Sequence, residues 1–136
     1  MLHPGFFDGI ETYAYTLHEG RGTLVWNVTA AKAIQAAGVD LILVEVERTQ
    51  LGHIATTYEI IEAKVLAADI GQPGIAAPFM WRGSAAFAPY GIVYILVDGI
   101  HRAVRAYRER KPFYAHILTD AQSRRCVLSA PTGVIP

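Results

Sequence analysis

Cysteine is almost missing from this chain: Cys126 is the only one in 136 residues. A single thiol excludes an internal disulfide framework and any cysteine-rich zinc site, and the ordinary place for it is a buried core position. The five histidines, His3, His18, His53, His101 and His116, show no HxxxH or HxH spacing, so they suggest no structural metal site. Net charge is also absent, with 12 basic and 12 acidic residues, which argues against a general nucleic-acid binder. Long apolar runs are missing too. Leu41 to Val46 and Ile92 to Val97 are strand-sized, far short of a membrane span. The start, Met1-Leu2-His3-Pro4-Gly5, carries no basic segment followed by an apolar one, and a cytoplasmic protein is expected.

What is present points to a folded domain. Hydrophobic residues make up 52% and charged residues 18%, a balance that excludes disorder. The length suits one core rather than two. Nine arginines stand against three lysines, and they are clustered: Arg102, Arg105, Arg108 and Arg110 crowd one segment with Lys111, and Arg124-Arg125 follow.

Periodicity outlines the elements. Glu11–Leu17 and Thr23–Val28 alternate around turn residues His18 to Gly22, which predicts a β-hairpin. Thr29 offers a cap for a helix over Ala30–Ala37, stopped by Gly38. Leu41–Val46 reads as a central strand covered on both faces. Arg48–Gly52 reads as a loop. Thr56 or Thr57 then caps a helix to about Asp69, ended by Gly71-Gln72-Pro73-Gly74. Pro78–Trp81 is a short strand, Arg82–Gly91 a loop, and Tyr94–Val97 a strand. Ile100, Ala103, Val104 and Tyr107 make the apolar stripe of the next helix. Tyr114–Leu118 is a strand, and Thr119-Asp120 caps a final helix over Ala121–Leu128. The expected fold is α/β, one compact domain over 1–136 with a mixed β-sheet flanked by helices. Residues 1–38 would form an N-terminal hairpin and helix, and 39–130 the core.

The segment Val97-Asp98-Gly99-Ile100-His101-Arg102 is where chemistry is expected. A strand that stops at Asp-Gly and turns into a helix leaves backbone N–H groups free at the positive end of the helix dipole, an anion site. Gly99 would let a phosphate approach the backbone, or serve as a plain turn glycine. Arg102 would neutralise phosphate oxygens, and His101, neutral beside a helix start, would donate a hydrogen bond. Asp98 would cap the helix or hold Mg²⁺ through water. Arg105 and Arg108 would extend the site, touch a nucleic-acid backbone, or form a solvated face. Thr56, Thr57 and Lys64 are further phosphate contacts. Glu45 and Glu47 are candidate general bases on one face of a strand, with Glu59 and Glu62 as rivals. Trp26, Phe79, Trp81 and Tyr90 read as core or cover, with stacking on a base as the other role.

The run Tyr94-Ile95-Leu96-Val97-Asp98-Gly99-Ile100-His101-Arg102-Ala103-Val104-Arg105-Ala106 resembles the nucleotide-binding box of the ParB N-terminal domain and sulfiredoxin superfamily. Lys111-Pro112-Phe113-Tyr114-Ala115-His116-Ile117-Leu118-Thr119 resembles the strand after that box, and Ala77-Pro78-Phe79 a strand before it. The likeness spans Asp40 to Ala130. It implies a ParB/sulfiredoxin-like fold, with the N-terminal hairpin outside it. It also implies a nucleoside triphosphate, ATP or CTP with Mg²⁺, bound through Asp98, Gly99, Ile100, His101, Arg102 and Arg105. Three departures narrow the function. Ile100 stands where sulfiredoxins carry their catalytic Cys, which excludes sulfinic acid reduction through that position. The Glu-Asn-x-x-Arg motif and the helix-turn-helix domain of chromosome-partition ParB proteins are both missing. The implied function is hydrolysis of a nucleotide or transfer of its phosphoryl group to a small hydroxyl substrate. The alternative is a non-catalytic regulatory module of a plasmid or phage that binds a partner protein or DNA; net neutrality disfavours DNA.

Overall fold

Nine strands in two sheets and five helices make up the described chain, an α/β architecture. The computed structural model describes residues 3–7, 9–16, 22–38, 41–81, 91–130 and 134–135, and describes side chains over 9–16, 22–38, 41–78 and 94–130. The expected turn at His18–Arg21 and the expected loop at Arg82–Tyr90 lie outside the described residues, as do the side chains of Phe79, Trp81 and Tyr90.

The first sheet is antiparallel throughout, in the order β1 (His3–Phe7), β2 (Ile10–Thr16), β3 (Thr23–Asn27), β8 (Val127–Ser129). β2 and β3 are the expected hairpin arms, with Thr16 opposite Thr23 and Tyr13 opposite Trp26. Alternation turns Leu24 and Trp26 inward, both fully buried, with Tyr13 beside them. Asn27, not Thr29, begins α1 (Val28–Ala36): its side chain accepts from the Ala30 N–H. Thr29 sits inside the helix, where its hydroxyl accepts from the Glu11 N–H at 2.8 Å.

The second sheet is mixed, in the order β4 (Ile42–Glu45), β7 (Tyr114–Ile117), β5 (Gly74–Trp81), β6 (Gly91–Asp98), with β9 (Val134–Ile135) also on β5. Among the described strands only β5 and β7 pair in parallel. The expectation of a covered central strand at Leu41–Val46 is corrected. β4 is an edge strand, with Ile42 70% and Leu43 50% exposed. An apolar run reports β propensity, and it does not report how many neighbours the strand finds.

A second correction concerns residues 48–69. The segment read as a loop is helical: α2 spans Arg48–Thr57 and a short α3 spans Glu62–Ala67. Thr56 and Thr57 close α2 rather than open a helix, and the Thr56 hydroxyl bonds back to the Gly52 carbonyl at 3.1 Å. α2 buries Leu51 and Ile54 and meets α4 (Ile100–Arg108) along Gly52, where a Cβ would stand 3.2 Å from Tyr107 Cε1. Gly52 is therefore a packing residue, not a turn residue.

α4 buries Ile100, Ala103 and Val104 of the expected stripe; Tyr107 is only half-buried against the core, and Ala106, not expected, is fully buried. α5 (Asp120–Cys126) starts on Thr119 with a full capping box to Gln122, then gives way to β8 at Val127. Cys126 is fully buried, and burial holds its thiol above the ordinary cysteine range. One hydrophobic cluster runs from Tyr13 through Ile75 and Val104 to Cys126, so β2, β3 and α1 pack into the same core as the later elements. No described helix is long and apolar enough to cross a membrane.

Candidate functional site

The site is built where β6 ends against β5. The ladder slips there: Ile75 faces Asp98 and Ala76 faces Leu96, so Val97 is an extra residue in β6. The bulge brings the last residue of β6 onto the start of β5. Gly74 makes this fit possible, because a Cβ on it would lie 2.7 Å from the Asp98 carbonyl oxygen. Gly99 follows with φ +96°, a left-handed conformation that glycine adopts without strain. A Cβ there would also meet the Gly74 Cα at 3.0 Å. Two glycines thus sit back to back.

Gly99 is the N-cap of α4, and no side chain caps the helix. Its carbonyl takes the Ala103 N–H at 2.9 Å. The amides of Ile100, His101 and Arg102 are the first of the helix and have no carbonyl one turn back within it. Asp98 does not cap, contrary to one expectation. Its carboxylate accepts from Arg102 Nη2 at 2.9 Å and lies 3.7 Å from Lys32 Nζ.

Arg102 is braced. Its Nη1 donates to the carbonyls of Gln72 at 2.9 Å and Pro73 at 2.8 Å, so the side chain clasps the loop before β5. Of the five N–H donors of a guanidinium, these bonds and the one to Asp98 leave Nε–H and one Nη2–H. His101 Nε2 accepts from the Ile61 N–H at 3.2 Å, which fixes the neutral ring's proton on Nδ1. Burial first, and the Lys64 ammonium second, pull the His101 pKa below the ordinary histidine value.

A cavity of about 330 Å³ opens at this turn, lined by Lys64, Ala67 to Asp69, Gln72 and Asp98 to Arg102. The structure therefore brings together Asp98, Gly99, Ile100, His101, Arg102 and Lys64. Scans of the chain against known protein families, characterised proteins and solved structures find no match.

Other expected residues stand elsewhere. Arg105 donates through Nη1 to the Leu66 and Ala68 carbonyls, both at 2.8 Å, and through Nε to Glu109 at 2.5 Å. It ties down the end of α3 and faces a different cavity. Arg108 makes a two-pronged pair with Glu62 at 2.6 and 2.8 Å. Glu45 ends β4, whereas Glu47 is the N-cap of α2, so they do not share a strand face. Both line a small hollow of about 160 Å³ with Gln50 and Tyr94, not the cavity at α4. Thr56, Thr57, Glu59 and Glu62 do not line the α4 cavity either. Trp26 is core.

Asp69 is absent from the sequence's candidates, where it only marked the end of an expected helix. It lies in the 68–73 segment and lines the α4 cavity, with its Oδ1 accepting from the Gly71 N–H at 3.0 Å. The spacing Asp-x-Gly, an Asp bonding the backbone two residues on, is the signal that would have found it. Among the described residues no group of three or more His, Cys, Asp or Glu is placed to hold a metal ion. Asp98, offered for Mg²⁺ by the sequence, is paired with cations instead. The residues do not fit a protein-held Mg²⁺, and no step below runs through one.

Proposed function

We propose that the chain binds a nucleoside triphosphate at the Asp98–Arg102 turn and hydrolyses it or transfers its terminal phosphoryl group. The observation that carries this reading is the uncapped start of α4 opening into a cavity of about 330 Å³ that also holds Lys64, His101 and Arg102. Free helix amides, an ammonium and the remaining guanidinium N–H groups are the donors that phosphate oxygens take. Neutral His101, with its proton on Nδ1, adds a donor without charge. The likeness of residues 94–106 to the ParB/sulfiredoxin box supports the same reading. One observation favours a binding module without turnover: neither Glu45 nor Glu47 lines this cavity.

The test is calorimetric titration of ATP, CTP, GTP and ADP on the wild type and on Lys64→Ala. Lys64 is the better probe because it is exposed, whereas Arg102 also holds a loop. Micromolar binding is expected, weakened about tenfold by removal of one ammonium, with the melting temperature unchanged. No binding of any nucleotide, or equal binding by the variant, sinks the reading.

A further inference from the structure

With Glu45 and Glu47 lining a different hollow, the carboxylates on the α4 cavity among the described residues are Asp69 and Asp98. Asp98 is engaged: its side chain is 11% exposed, is bound by Arg102 at 2.9 Å and has Lys32 at 3.7 Å. Asp69 is exposed, and among the described residues the one partner of its carboxylate is the Gly71 N–H on Oδ1. Its Oδ2 is free to take a proton.

Asp69 also lines a second, larger cavity of about 840 Å³, with Leu43, Arg105, Lys111 and Tyr114 among its walls. Among the described residues Ala68 and Asp69 are common to both cavities, so Asp69 is a charged group at their boundary. A group on the boundary between a phosphate site and a roomier cavity is within reach of both the transferred phosphoryl group and its acceptor, the position a general base needs.

We propose that Asp69 is the general base of a phosphoryl transfer, and that the larger cavity holds the acceptor hydroxyl, of water or of a small polar alcohol. The inference rests on the nucleotide reading above. The acceptor oxygen bonds the terminal phosphorus as its proton passes to Asp69 Oδ2. The bond from that phosphorus to its bridging oxygen breaks, and the electron pair leaves with the nucleoside diphosphate. With an alcohol the other product is a phosphate monoester; with water it is inorganic phosphate. Asp69 then releases its proton to solvent. Asp69 touches the acceptor and is a catalytic residue in this scheme.

The experiment uses the full chain with ATP, in buffer alone and with glycerol or a small hydroxy acid. It measures nucleotide affinity, diphosphate release, and inorganic phosphate against phosphate ester. Asp69→Asn is the variant of choice, since an amide oxygen keeps the Gly71 bond. The expected result is affinity within about twofold of wild type and turnover reduced about 10²-fold or more. Turnover of Asp69→Asn within tenfold of wild type overturns the proposal. So does loss of turnover in Glu45→Gln or Glu47→Gln instead. So does a wild type that binds ATP yet releases no diphosphate with any acceptor. A wild type that binds no nucleotide marks the different failure, that of the parent reading, and takes this one with it.

Discussion

Replacing Gly99 by Ala probes the joint on which the candidate site stands, and Gly38→Ala supplies its internal reference. Both glycines have left-handed backbones, with φ of +96° and +69°. Around Gly38, just after α1, a Cβ would find nothing within 4 Å. Its replacement therefore reports the conformational cost alone, about 1–2 kcal/mol. At Gly99 the same Cβ meets the Gly74 Cα at 3.0 Å and Phe113 Cζ at 3.3 Å. Neither neighbour can yield: one is backbone, and the other belongs to a fully buried ring. Overpacking of that kind costs about 1–3 kcal/mol. Gly99→Ala should therefore lose about 1–3 kcal/mol more than Gly38→Ala. At roughly 3 °C per kcal/mol for a chain of this size, that is a further drop of about 3–9 °C in Tm. Urea and thermal unfolding of the two variants side by side, followed by circular dichroism, measure the difference. Equal losses would refute the back-to-back packing of Gly74 and Gly99.

Two other expectations follow from the same region. The folded pKa of His101 lies below the unfolded value, so acid favours the unfolded chain. Stability at His101 is complete above about pH 6.5 and declines as pH falls from there toward the folded pKa. His101→Gln should flatten this part of the stability–pH profile, and identical slopes in the two proteins would contradict it. Arg105→Ala removes the donors that hold the Leu66 and Ala68 carbonyls. Amides of α3 should then exchange with solvent at least tenfold faster by hydrogen-exchange mass spectrometry, with β5 unaffected; unchanged α3 protection would show that Arg105 does not hold it.

Local chemistry made some of this legible in the sequence. The alternation of β2 and β3 survived folding because hairpin partners are close in the chain. α4 was plain because its buried residues recur at helical spacing, and α5 because Thr119 and Gln122 form a box on their own. The strand-to-helix turn at Gly99 was visible for the same reason. The hidden parts depend on distant partners. Gly52 looked like a loop residue because nothing in the chain announces that Tyr107 lies against it. β8 is three residues long, too short to show a period, and exists because β3 offers it an edge. Arg102 looked like a free cation since carbonyl acceptors at Gln72 and Pro73 leave no trace in residue type. Glu45 and Glu47 were grouped by counting along a strand that in fact ends between them.

The pairing of β3 with β8 has a consequence for how the protein is made. Trp26 faces Val127, so the two halves of that contact are synthesised roughly a hundred residues apart. On the ribosome the β2–β3 hairpin emerges early, with the β3 edge unsatisfied and Trp26 lacking β8 beside it. The rest of the domain, including the turn at Gly99, is translated while that edge waits. Translation pauses late in the message, or chains released before residue 127, would therefore leave an open strand for other chains to pair with.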